Sequence, residues 1–302
     1  MSRASVLTTA RGTRPEAFGP TEWGLLLAIA LMWGSSFVFI DIALESSRPA
    51  LIALVRIAAG TLAVGLLGRS RAKVDREDLP RIALLGIVWM AIPLLLFPIA
   101  QDLGVASSTA GMINGAMPLF AATFAAIMLG RAPAPRQAGG LVIGFAGIVL
   151  IFLPAARVPE TALGAALALF ATVLYGLAAN LTVPLQQRYG ALPVVFRAQL
   201  VALIAVLPFG LLALPDSSPT PSGWASMGAL GLFGTGLAFI AMSVLVGRAG
   251  ATRGAVAIYF IPVVALILGV TLRDETVPAL ALGGIALVLA GAWLTSRREI
   301  VR

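Results

Sequence analysis

The chain has 302 residues, of which 59% are hydrophobic and 11% charged; 21 Lys and Arg against 13 Asp and Glu leave a net charge of +8. A soluble fold of this length needs a more polar surface, so the composition points to a membrane protein. With no cysteine or histidine present, thiolate nucleophiles, disulfides, Cys/His zinc sites and imidazole proton relays are excluded, and no cofactor or metal is expected.

Apolar residues fall in runs near twenty, the length that crosses roughly 30 Å of hydrocarbon at about 1.5 Å per residue. Residues 1–21 carry Arg3, Arg11 and Arg14 but no apolar stretch, and read as a cytoplasmic tail rather than a cleaved signal. Ten spans follow, predicted near 22–44, 50–68, 80–102, 106–129, 137–154, 161–184, 191–214, 223–247, 252–272 and 277–296, with a second tail at 297–302. The fold class expected is an all-α polytopic membrane protein, and short connections predict that sequential helices are antiparallel neighbours.

An even number of spans puts both termini on one side. That side collects sixteen basic residues: three in the N-terminal tail, five in the second connection (Arg69, Arg71, Lys73, Arg76, Arg81), then Arg131, Arg136, Arg188, Arg248, Arg253, Arg297, Arg298 and Arg302. The opposite side has Arg48, Arg157 and Arg273, while Arg56 and Arg197 lie within spans. The imbalance predicts both termini in the cytoplasm of an inner-membrane protein. Basic residues beside anionic lipid explain the net charge, so the bilayer is the expected partner and nucleic acid is not.

The chain also repeats. Pro118 falls on Pro262 at an offset of 144, as do Gly139, Gly140 and Gly147 on Gly283, Gly284 and Gly291, and Leu141 on Ile285. Trp33-Gly34 falls on Tyr175-Gly176 at 142, and Gly104 on Gly247 at 143. This spacing predicts a first five-helix unit over 22–154 and a second over 161–296. Because five is odd, the second unit enters the membrane inverted, a construction of secondary transporters with a substrate site near the midplane.

These residues resemble the drug/metabolite transporter superfamily, in its EamA-like branch of ten-helix exporters. The motifs are Leu31-Met32-Trp33-Gly34-Ser35-Ser36-Phe37, Arg56 in the second span, and the paired stretches beginning at Pro118 and Pro262 with Leu-Gly and a Gly-rich helix after them. The resemblance covers residues 22–296 and is greatest to the YddG-type bacterial exporters of aromatic amino acids. It implies export of a small molecule. One departure stands out: Leu129-Gly130 is followed by Arg131 where the family often has an acid, while the second half keeps Asp274 and Glu275.

Candidate substrate-binding residues follow from depth and chemistry. Trp33 and Ser36 share a face of the first span at i, i+3, giving either an aromatic platform with a hydroxyl or a packing Trp beside small residues. Tyr175 is the repeat mate of Trp33. Asn114, the amide of the fourth span, needs another helix or a polar ligand as partner. Asn180, nearer a helix end, suits capping or solvent contact. Trp89, Phe239 and Tyr259 lie near the midplane, where they either stack on a substrate ring or fill the core, whereas Trp23, Trp224 and Trp293 near helix ends suit an interfacial belt. Arg56 and Arg197 snorkel by default, or Arg56 is an anion anchor for a substrate carboxylate, Asp41 or Asp102. Pro118 and Pro262 are candidate hinges. The run Asp75-Arg76-Glu77-Asp78 reads as a solvated loop.

The leading expectation is a secondary transporter exporting a small metabolite, such as an aromatic or other amino acid, by alternating access around a midplane cavity. It is not expected to be an enzyme, and no catalytic residues are assigned. The competing class is a membrane-embedded transferase acting on a lipid or prenyl substrate, which needs metal-binding carboxylate clusters that the sequence does not offer. An ATP-driven pump needs a phosphate-binding Gly-x-x-x-x-Gly-Lys-Ser/Thr loop, also lacking. Ten helices can enclose a cavity within one chain, so a monomer suffices.

Overall fold

The computed structural model describes residues 19–130, 135–155, 157–249 and 255–296. The C-terminal tail, nearly all of the N-terminal tail and Arg131 lie outside them, as does the start of the ninth predicted span. Six helices are long and apolar enough to cross a membrane and four more are shorter and apolar.

Helices α1 (Pro20–Leu44), α2 (Pro49–Gly65), α6 (Pro159–Tyr189) and α8 (Pro221–Leu245) each begin on a proline. Proline's missing N–H costs nothing at a first turn, where that donor has no intrahelical acceptor. The remaining spans are α3 (Arg76–Asp102), α4 (Ser107–Leu129), α5 (Pro135–Ala155), α7 (Ala191–Leu212), α9 (Ala257–Arg273) and α10 (Ala279–Ser296). Helix α6 runs about one turn beyond its predicted end, carrying Pro184 inside it.

Two pairs of spans are irregular at matched places. In α4 the helix stops at Asn114 and restarts at Met117; in α9 a 3-10 stretch over Ala255–Phe260 gives way to an α-helix over Ile261–Arg273. Pro118 and Pro262 are each the second residue of the new helix. Both candidate hinge prolines thus sit in the first turn of a helix that restarts after an interruption. The two helices end at Gly130 (φ 62°) and Asp274 (φ 51°), left-handed caps at the same repeat position; Asp is among the few residues besides Gly that tolerate that conformation. Helix α3 contains a π segment over Gly86–Ala91 and α8 one over Leu230–Leu237.

Sequential helices are not the principal neighbours. Helix α2 packs on α7 and α8 far more than on α1, and α3 packs on α6 and α7. The reason is exchange between halves, visible in contacts that occur twice. A Cβ at Gly231 of α8 would lie 2.4 Å from Ala59 Cβ and 3.0 Å from the Arg56 carbonyl; one at Gly86 of α3 would lie 2.9 Å from Val201 Cβ and 2.6 Å from the Ala198 carbonyl. Likewise Gly34 of α1 sits against Val264 of α9, and Gly176 of α6 against Phe120 of α4. In the tightest pairing, α5 with α10, Gly147 meets Gly284 while Gly291 meets Gly140. Rising numbers on one helix thus meet falling numbers on the other, so these two repeat mates run antiparallel. The halves are inverted repeats related by a pseudo-two-fold axis.

Polar contacts tie the halves at both ends. At one, Arg273 bridges Asp41 (2.5 Å) and Glu45 (2.7 Å), and Ser218 N donates to Ser46 O at 2.9 Å. There too, Glu275 accepts from Ser107 N (2.8 Å), Ser107 Oγ (2.6 Å) and Ser108 N (2.9 Å), capping α4 from the other half. At the opposite end, Arg188 binds Asp78 (2.8 Å) and Asp75 (2.5 Å), and Tyr189 Oη donates to Asp78 at 2.6 Å. Asp78 also receives Arg81 (2.8 Å) and is only 2% exposed. In the loop read as solvated, Asp75, Arg76 and Glu77 are indeed exposed, but Asp78 is buried, where two arginines and a phenol offset the cost of desolvating its carboxylate. Arg197 reaches this end as expected, donating to Ala72 O at 2.8 Å.

Candidate functional site

Between the halves lies a cavity with two lobes that share Trp33, Asn114 and Tyr175. One lobe is otherwise lined by Trp89, Met117, Ala179, Thr182, Met242 and Ile258 and leaves about 10 Å³ open. The other adds Ser36, Phe37, Ile40, Arg56, Leu94 and Phe97 and leaves about 30 Å³ open. Space of this order holds about one or two waters, so in this conformation the lobes are nearly closed.

The aromatic wall is a braced stack. Phe239 is fully buried and does not line the cavity; it meets Trp33 edge-on at 5.3 Å and Trp89 at 4.7 Å between ring centroids. It holds the two indoles in place from behind. Trp33 Nε1 donates to the Gly234 carbonyl in the π segment of α8 at 2.9 Å, fixing the ring's rotation. Tyr175 stacks on Phe97 at 5.9 Å, with 24° between the ring planes. Such offset and edge geometries are those that ring quadrupoles favour.

Arg56 is 3% exposed. Its Nε donates to Thr235 Oγ1 at 3.2 Å, and among the described residues no carboxylate pairs with it. It neither snorkels nor reaches Asp41, which Arg273 occupies. Thr235 Oγ1 itself donates to Leu230 O at 2.9 Å, an i−5 contact natural to a π segment, and Gln199 Nε2 donates to Thr235 O at 2.6 Å. Thr235 and Gln199 escape sequence reasoning; the available signal was a Thr and a Gln inside otherwise apolar spans.

Asn114 is 4% exposed at the broken end of α4, and its Oδ1 is buried without a hydrogen-bond partner. Ser36 and Thr182 have spent their hydroxyl protons on the carbonyls of Met32 (2.7 Å) and Ala178 (2.8 Å). Tyr259 is not brought to the cavity; it is half-buried against the core while its neighbour Ile258 lines the lobe. Asn180 is corrected more sharply. It is 1% exposed, and its Nδ2 donates to Ala121 O (2.9 Å) and Gly176 O (3.1 Å), joining α6 to the broken helix α4 rather than meeting solvent.

The comparisons with known proteins agree with this architecture. A protein named as a probable terminal-alkyne amino-acid exporter from Streptantibioticus cattleyicolor is 29% identical over 285 residues, covering 93% of this chain and 94% of that protein. The inner membrane transporter YedA of Escherichia coli K12 is 30% identical over 296 residues, covering 92% and 94%. A protein crystal structure aligns with a TM-score of 0.65 at 21% identity over 91% of this chain and 96% of its own, a likeness of fold. The EamA-like transporter family model matches twice, over residues 22–153 and 162–297. With both halves matched and ten apolar helices in two inverted repeats, the chain belongs to the EamA-like transporter family.

Proposed function

We propose that this transporter exports small metabolites, amino acids including aromatic ones, across the bacterial inner membrane by alternating access, with both termini cytoplasmic. The observation that carries this reading is Arg56: a cation buried in a cavity with no carboxylate partner among the described residues. An uncompensated buried charge is costly, and a ligand carboxylate relieves that cost while gaining a bidentate partner. Trp33, Trp89 and Tyr175 supply faces for the rest of the molecule. The relative named as a terminal-alkyne amino-acid exporter supports the same substrate class.

The breaks before Pro118 and Pro262 supply the motion in this reading. A helix already interrupted bends at low cost, and matched interruptions let each half open one side of the cavity. Uptake of radiolabelled amino acids into proteoliposomes, compared with empty liposomes, tests the proposal. Saturable uptake of at least one apolar amino acid, lost in Arg56→Met, is expected. Rates equal to empty liposomes across the panel would falsify it.

A further inference from the structure

Resting on that reading, we infer that the cavity recognises the α-amino acid zwitterion in one orientation, with Asn114 Oδ1 accepting a hydrogen bond from the substrate ammonium. The argument is an inventory of what each lobe leaves unsatisfied. In the lobe with Phe97 it is positive charge, on Arg56. At the junction of the lobes, beside the Tyr175 phenol, it is an acceptor, Asn114 Oδ1, buried without a hydrogen-bond partner. In the lobe of Trp89, Met242 and Ile258 the lining beyond the shared Trp33, Asn114 and Tyr175 is apolar except for Thr182, whose proton is bound to Ala178 O, and the Trp33 N–H is bound to Gly234 O.

A ligand that satisfies all three regions carries an anion, a short step away a donor, and beyond it an apolar group. An α-amino acid offers these three groups from one carbon, its carboxylate and ammonium close together and its side chain directed away from both. The carboxylate meets Arg56, the ammonium meets Asn114, and the side chain enters the lobe between Trp89 and Ile258. A des-amino acid leaves the amide oxygen unpaired, and an amine without a carboxylate leaves the guanidinium uncompensated. Sites built around buried polar groups reject analogues that leave those groups unpaired. An N-acyl amino acid fails as well, because its bulkier, uncharged nitrogen cannot serve as the ammonium does.

Equilibrium binding to the purified full-length chain tests this with four probes: L-phenylalanine, 3-phenylpropanoate, 2-phenylethylamine and N-acetyl-L-phenylalanine. L-Phenylalanine is expected to bind at least ~10-fold more tightly than each analogue, the scale of one lost polar contact at about 1.4 kcal/mol per tenfold. In Asn114→Leu the preference over 3-phenylpropanoate falls toward unity while that over 2-phenylethylamine persists; in Arg56→Met the two preferences exchange. If 3-phenylpropanoate binds the unaltered protein as tightly as L-phenylalanine, the ammonium site is overturned and the carboxylate reading stands. If 2-phenylethylamine matches L-phenylalanine instead, the carboxylate reading falls and takes this one with it. The series on the unaltered protein needs no variant, so misfolding of Asn114→Leu leaves the proposal open to refutation.

Discussion

The two halves of this transporter share a scaffold and differ in what they present to the cavity. Asn114 of α4 and Ile258 of α9 occupy the same repeat position, and both line the same lobe. Trp33 and Tyr175 are likewise mates and line both lobes. The mate of Arg56, identified by the exchanged contacts of α2 and α7, is Ala198, and the mate of Ser36 is Ala178. Charge and the buried amide acceptor thus come from the first half, together with most of the apolar wall, while the second half supplies Tyr175, Ala179, Thr182, Met242 and Ile258. A pseudo-symmetric cavity furnished evenly would bind a substrate either way round. This one is polarised, so an asymmetric molecule has a preferred direction within it.

Predictions follow from trying to erase that difference. Arg56→Met removes the charge and is expected to reduce amino-acid counterflow about 100-fold or more, on the scale of a lost charge-assisted pair, with the folded protein still monodisperse in detergent. A milder loss in counterflow would mean that polarity does not originate at α2. Exchanging the mates, Asn114→Ile with Ile258→Asn, keeps composition and moves the amide away from the ammonium; a rate loss of roughly 10-fold is expected, and unchanged rates would show that position is immaterial.

A symmetric control sharpens the contrast. Gly147→Ala and Gly291→Ala each place a methyl about 2.5 Å and 2.4 Å from a backbone carbonyl of the partner helix. Overpacking of this kind costs ~1–3 kcal/mol, so the two variants should lower the melting temperature equally. Unequal shifts would mean that the scaffold, like the lining, has diverged. The smallest effect is expected for Thr235→Val, which is near-isosteric and removes one hydrogen bond to Arg56. A loss of ~1 kcal/mol appears as a several-fold rise in KM with kcat retained. The Gln199 bond to the Thr235 carbonyl should survive in that variant, since it uses backbone.

Much of this was legible in the sequence, and the limits have a physical cause. Length and hydropathy set the ten spans, and offsets of 142 and 144 set the repeat, because a glycine or proline required for close packing is required in both copies. Depth in the membrane was legible too: Trp33, Trp89, Asn114 and Tyr175 reach the cavity. Direction around the helix axis was not. A span that is apolar all round carries no amphipathic stripe, so Phe239 and Tyr259 could not be told from cavity-lining residues. The π segments shift the faces of α3 and α8 further, which hid the path from Thr235 to Arg56. Charged residues were misjudged for want of partners. Asp78 looks like any loop acid until Arg81, Arg188 and Tyr189 converge on it.

A π turn holds one residue more than an α turn, and α3 and α8 carry one at the same repeat position. The extra residue turns everything beyond it by about 100° around the helix axis. The segment in α3 carries Trp89 and the one in α8 carries Gly234, whose carbonyl holds the Trp33 indole. Deleting one residue from either segment would therefore swing half a span out of register while leaving its length and hydropathy almost unchanged.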